Sequence, residues 1–151
     1  MVYVDTSVIV KLYIKESLSA EAANWLKKNN EAVPLTRVHE LEFINALQLK
    51  RFRSEITRDE VLSIVSRFSE HEKAGIFYRP QLDWPKVFND AIDLSKKYTV
   101  KVGARSLDIL HVASALSIGA EKFLTVDARQ SELAALSGLK MVELRRILPE
   151  E

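Results

Sequence analysis

Two short runs in this chain share one design, and that design narrows the possible folds sharply. Val2-Tyr3-Val4 is followed by Asp5, Thr6 and Ser7, and Leu124-Thr125-Val126 is followed by Asp127. Runs of β-branched, aromatic and other apolar residues of this length read as buried strands. Each run stops at a carboxylate, and a helical pattern begins. Buried strands alternating with helices specify a parallel, doubly wound α/β sheet. In such sheets ligands bind beyond the carboxyl ends of the strands, where the strand order reverses. The first strand is expected at the centre. If the strand at residues 122–126 is its neighbour, Asp5 and Asp127 lie side by side.

The intervening chain fits this alternation. After Asp5, Ile9, Leu12 and Tyr13 recur at helical spacing, with Thr6 or Ser7 available as cap. A helix is expected over residues 19–29 and a strand over 32–35, weakened by Pro34. A long helix follows over 37–53. Thr57 and Glu60 form a capping box that opens another helix, with Val61, Ile64, Val65 and Phe68 inward, ending near Gly75. Residues 76–78 read as a strand. Residues 85–98 read as a helix with Pro85 in its first turn and Val87, Ala91, Ile92 and Leu94 apolar. A loop at 99–104, a helix at 106–119 and the strand at 122–126 come next. A helix at 128–136 and an edge-like strand at 141–144 complete the pattern. With no repeat, low-complexity tract or linker, residues 1–151 are expected to form a single domain.

Charge and composition exclude several classes. Lys plus Arg number 22 and Asp plus Glu 21, so net charge steers no partner. A nucleic-acid surface would have to come from local clusters, such as Lys50, Arg51 and Arg53, or Lys96, Lys97, Lys101 and Arg105, or Lys11 and Lys15. The absence of cysteine excludes disulfides, thiolate metal sites and cysteine nucleophiles. No apolar run approaches the roughly 18 residues of a membrane span, and no basic-then-apolar leader opens the chain. A cytoplasmic protein without membrane contact is expected.

Among the acids, Asp5 and Asp127 each have an ordinary explanation as N-caps. Asp108 does too, in the first turn of a helix, where it faces the positive end of the dipole. That helix is nevertheless largely apolar through Leu107, Leu110, Ala113, Ala115 and Leu116. A buried acid on it needs a partner, either Arg105 or a metal. His111, one turn on, is more simply a hydrogen-bonded core residue, with at most a supporting role. Glu40 and Glu42 lie about 200° apart around their helix. Glu42, on a face with Val38, Leu41 and Asn45, is the better site candidate, with Asn45 as support; Glu40 points toward Arg37 or solvent. The other acids, such as Glu21, Asp59, Asp90 and Asp93, read as a solvated face. Carboxylates without thiols or a clear histidine pair suit Mg²⁺.

Asp5-Thr6-Ser7, Glu42-Phe-Ile-Asn-Ala-Leu47, Ser106-Leu-Asp108-Ile-Leu-His111-Val-Ala113-Ser-Ala115-Leu and Leu124-Thr-Val-Asp127 stand in this order along nearly the whole chain. The ordered set resembles PIN-domain nucleases, and the small form most resembles VapC-type toxins of toxin–antitoxin pairs. The resemblance implies an α/β three-layer sandwich with a five-stranded parallel sheet flanked by helices. It implies a homodimeric, Mg²⁺- or Mn²⁺-dependent endoribonuclease that cleaves RNA and is inhibited by a cognate antitoxin protein. The metal-holding acids map onto Asp5, Glu42, Asp108 and Asp127, with Thr6, Ser7 and Thr125 in support; separately, Arg105, in one of the basic clusters near the rim, is a candidate for substrate binding. No further Asp closely follows Asp127, a departure that bears on a second metal. Four rivals remain. A housekeeping RNA-processing nuclease would share the site. A phosphatase with Asp5 as nucleophile would want an acid where Ser7 stands. A phosphoacceptor receiver domain would want paired acids at the first strand. A non-catalytic nucleic-acid-binding module leaves the four acids unexplained.

Overall fold

The computed structural model describes residues 1–144. The chain runs β1 (Val2–Val4), α1 (Thr6–Lys11), α2 (Ser19–Lys28), β2 (Val33–Pro34), α3 (Arg37–Phe52) and α4 (Arg58–Lys73). It continues with β3 (Phe77–Tyr78), α5 (Trp84–Val102), α6 (Ser106–Ser117), β4 (Lys122–Leu124), α7 (Ala128–Leu136) and β5 (Lys140–Val142). Local chemistry explains most boundaries. Thr57 and Glu60 form the expected capping box at α4, the Glu60 carboxylate accepting from Thr57 N at 2.6 Å and Thr57 Oγ1 from Glu60 N at 3.2 Å. The cap of α1 is Asp5, whose side chain accepts from Ser7 N, and neither Thr6 nor Ser7 fills that role. The loop expected at 99–104 is largely helix. α5 continues to Val102, because Val102 and Ala104 enter the core, and it stops at Gly103 with φ +69°. A side chain there would be strained.

The expected five-stranded sheet is instead a three-stranded parallel sheet in the order β1-β4-β5 and a separate two-stranded parallel sheet of β2 and β3. β2 lies beside β1, and the reason the ladder breaks there is chemical. Val33 N and Leu35 N donate outward to β3, to Ile76 O at 2.9 Å and Tyr78 O at 2.8 Å. By strand alternation the residue facing β1 is Pro34, which has no N–H to donate. The Val4 carbonyl, which faces the same gap, is served by a side chain: His39 Nε2 donates to it at 2.8 Å.

Alternate residues of the central strands enter different cores. Tyr3 and Phe123 pack with Val87, Val112 and Leu133 beneath α5, α6 and α7. Val4 and Leu124 pack with Ile9, Phe43, Leu47 and Phe68 beneath α1 to α4. Helices therefore cover both faces, giving the expected three layers. Among the described residues no helix is long and apolar enough to cross a membrane.

Candidate metal centre

β1 and β4 are neighbours in parallel register, Val4 opposite Leu124, and Asp5 N donates to Leu124 O at 2.8 Å. Asp5 is thus fixed at the carboxyl end of the central strand, and it is buried. Its two oxygens have different surroundings. Oδ2 takes the Ser7 amide at 3.2 Å, the Ser7 hydroxyl at 2.5 Å and the Thr125 hydroxyl at 3.3 Å. Oδ1 faces His111 Nε2 at 3.6 Å. Burial would raise the Asp5 pKa, but the His111 ring and the Ser7 donors outweigh it and hold the carboxyl below its ordinary value.

Glu42 arrives from α3. Thr6 Oγ1 donates to its Oε1 at 2.9 Å, and His111 Nε2 meets the same oxygen. Ligand atoms of Asp5, Glu42 and His111 lie within 4.8 Å of one another. The inward face of α3 differs from the expected one. It runs through Val38, His39, Phe43 and Leu47, with Glu42 half-buried at its edge, while Leu41 is 62% exposed. Asn45 is exposed as well, and among the described residues no hydrogen bond joins it to an acid of the site. Glu40 points elsewhere, to Arg79 Nη1 at 2.8 Å and Arg37 at 3.8 Å.

Asp108 and Asp127 are joined through Arg105, whose Nε donates to Asp108 Oδ2 at 3.2 Å while Nη2 lies 3.8 Å from Asp127 Oδ2. Asp127 caps α7, its Oδ1 accepting from Gln130 N at 2.9 Å. Asp108 has a raised pKa: burial pushes it up, Arg105 opposes, and the charges of Asp127 and Asp5 add to the rise. Asp108 therefore lies within electrostatic reach of Asp127 and Asp5. The ordinary N-cap explanation for Asp5 and Asp127 is correct and incomplete. Capping occupies one oxygen of each; the other oxygen of Asp5 faces His111 Nε2 and that of Asp127 faces Arg105 Nη2.

Reading the sequence alone gave His111 little weight and left Tyr3 and His39 without a polar role. All three are fully buried and adjoin the site, with Tyr3 Oη 2.8 Å from His111 Nδ1 and the His39 and His111 rings 4.7 Å apart. The spacing of His111 from Asp108 on an apolar helix was the available signal.

The donor set is mainly carboxylate oxygen with one imidazole in reach, and it fits a hard divalent cation. Asp5 Oδ1, Glu42 Oε2 and Asp108 Oδ1 accept no hydrogen bond from the described residues, which leaves lone pairs available. A comparison with curated proteins finds no match. Among solved structures the fold is similar to that in the crystal structure of FitAcB from Neisseria gonorrhoeae, with a TM-score of 0.69 at 16% identity, covering 95% of this chain and 97% of that one. The family model for the PIN domain matches residues 2–136, and this chain belongs to the PIN domain family.

Proposed function

We propose that the chain is an Mg²⁺- or Mn²⁺-dependent endoribonuclease and the toxin of a toxin–antitoxin pair. One observation carries the catalytic reading. Each of the four carboxylates has one oxygen held by a protein donor, and the other oxygen of each accepts no hydrogen bond from the described residues. A bound divalent ion would supply charge neutralisation on a phosphate and acidify a water. The chain's own groups would do the rest. Asp5, Glu42, Asp108 and Asp127 hold the ion, Ser7 and Thr125 fix Asp5, and Thr6 fixes Glu42. The Thr6 and Ser7 hydroxyls already donate to acids, so neither is placed as a nucleophile. Water would be the attacking group: its oxygen bonds to phosphorus, one phosphorus–oxygen ester bond breaks, and the departing oxygen takes up the proton that the water gives up. Arg105, at the mouth with its side chain 73% exposed, is placed to pair with a substrate phosphate.

RNA as substrate, the cytoplasmic setting, the homodimer and the antitoxin rest on the resemblance to VapC-type toxins. An exposed apolar strip formed by Leu41, Phe88 and Leu107, beside Trp84 and Leu110, supports self-association. The antitoxin would offer a basic side chain to the acids. The test is incubation of purified protein with RNA and DNA, with Mn²⁺, with Mg²⁺ and with EDTA. RNA cleavage that needs metal is expected. Cleavage that survives EDTA, or none of any RNA, would defeat the reading. Growth arrest on expression, relieved by the product of the adjacent upstream reading frame, tests the toxin role.

A further inference from the structure

The four carboxylates do not account for the polar pair buried beneath them. Tyr3 on β1 and His111 on α6 are both without solvent exposure. Burying a phenol and an imidazole in a core is unfavourable unless each is satisfied, and here the satisfaction leads to one place. His111 Nε2 meets Glu42 Oε1, with Thr6 Oγ1 at 3.2 Å. A carboxylate only accepts, so Nε2 carries the hydrogen. In the neutral ring Nδ1 accepts, and Tyr3 Oη, a donor, stands 2.8 Å from it. The Tyr3 phenol supplies an O–H donor from inside the core. The Tyr3 ring is itself held, stacked on Phe123 at 5.3 Å with an interplanar angle of 12°.

We propose that Tyr3 and His111 are positioning residues for Glu42. Tyr3 sets the tautomer and angle of the imidazole, and His111 with Thr6 ties down Oε1. Oε2 is thereby presented to the ion. The proposal rests on the metal-nuclease reading and deepens it: Glu42 is an effective ligand because of a hydrogen-bonded chain that begins in the core. Outer groups that orient metal ligands of this kind typically govern metal affinity by ~10–100-fold.

The experiment is Mn²⁺ binding by calorimetry, with no substrate, on wild type, Tyr3→Phe, His111→Ala, His111→Gln and the packing control Phe123→Leu. Tyr3→Phe keeps the ring and removes only the hydroxyl. Several-fold weaker Mn²⁺ binding is expected for Tyr3→Phe and ~10–100-fold weaker binding for His111→Ala. His111→Gln, which retains a donor, is expected to recover part of the loss. Phe123→Leu is expected to lower the melting temperature and leave Mn²⁺ affinity within about twofold. Unchanged affinity in both Tyr3→Phe and His111→Ala overturns the positioning role alone. An equal loss in Phe123→Leu assigns the effect to packing and overturns it too. Paramagnetic resonance of bound Mn²⁺ showing a directly coordinated nitrogen that disappears in His111→Gln makes His111 a ligand, which also overturns it. Failure of the wild type to bind Mn²⁺ overturns the metal reading and this proposal together. If the His111 variants do not fold, Tyr3→Phe against Phe123→Leu decides.

Discussion

His39 Nε2 donates to the carbonyl oxygen of Val4 across 2.8 Å, so a helix side chain serves a strand group at the gap between the two sheets. Its other nitrogen accepts from Thr36 N at 2.9 Å, closing the cap of α3. Both contacts require the neutral Nε2–H tautomer. Burial, with the nearby His111, lowers its pKa from 6.5 to about 3.

That depression has a definite consequence for acid stability. Between the ordinary histidine range and about 3, the unfolded chain holds a proton on residue 39 and the folded chain does not. Stability therefore falls as pH falls through that window, by up to about 1.4 kcal/mol per pH unit from this group. Denaturant unfolding at several pH values, wild type against His39→Gln, measures it. The variant is expected to be less stable at pH 7 and to show a shallower acid loss. Parallel curves would show that His39 titrates normally.

Glu40 and Glu42 should separate cleanly in function. Glu42 shares its Oε1 with Thr6 and His111, whereas Glu40 is in a salt-bridge cluster with Arg37 and Arg79. Glu42→Gln is expected to lower metal-dependent RNA cleavage by at least ~100-fold, since it removes a ligand rather than its support. Glu40→Gln should change turnover by less than about twofold and affect the melting temperature only slightly, as partly exposed ion pairs contribute little. Equal losses would remove Glu42 from the site.

The same pair shows what was legible beforehand. Helical geometry alone separated Glu42 from Glu40. It misassigned the companions of Glu42, because Leu41 and Asn45 turn outward and His39 and Phe43 inward, a matter of tertiary packing rather than periodicity. The pairing of β1 with β4, the strands that precede Asp5 and Asp127, followed from the topology of doubly wound sheets, as did helices on both faces. The break in the sheet was half visible: Pro34 signalled a weak strand, but its facing toward β1 depends on register. The Tyr3–His111 contact joins residues 108 positions apart. No local pattern announces it, and Tyr3 in particular reads simply as a strand aromatic.

Arg105 sets up a competition at the mouth of the site. Its guanidinium lies against Asp108 and Asp127, the side that a cation must also approach. Arg105→Ala is expected to tighten Mn²⁺ binding a few-fold at low salt, by removing a resident positive charge, and to raise the KM for RNA by removing a phosphate partner. Calorimetry and steady-state cleavage measure the two effects. Weaker metal binding in Arg105→Ala would mean that the arginine organises the acids instead of competing for them.

Asp108 links charge, stability and metal in one residue. Burial and the charges of Asp127 and Asp5 raise its pKa in the fold, against Arg105. For an acid raised in this way, the unfolded chain loses its proton first. The folded state is therefore penalised as pH rises from about 4, the free carboxyl value, through the higher folded value, and it carries that penalty at pH 7. Asp108→Asn removes the charge, so without metal it is expected to melt above wild type at pH 7 and to converge with it below about pH 4. A divalent ion bound only by the fold reverses the order. At a hundredfold excess over its dissociation constant it stabilises wild type by roughly 2.7 kcal/mol, while Asp108→Asn, short of one ligand, loses most of that gain. Thermal melts of both proteins at two pH values, with and without Mn²⁺, contain the whole comparison. A lower metal-free melting temperature for Asp108→Asn, together with an intact Mn²⁺ response, would reduce Asp108 to the partner of Arg105 and remove it from the metal centre.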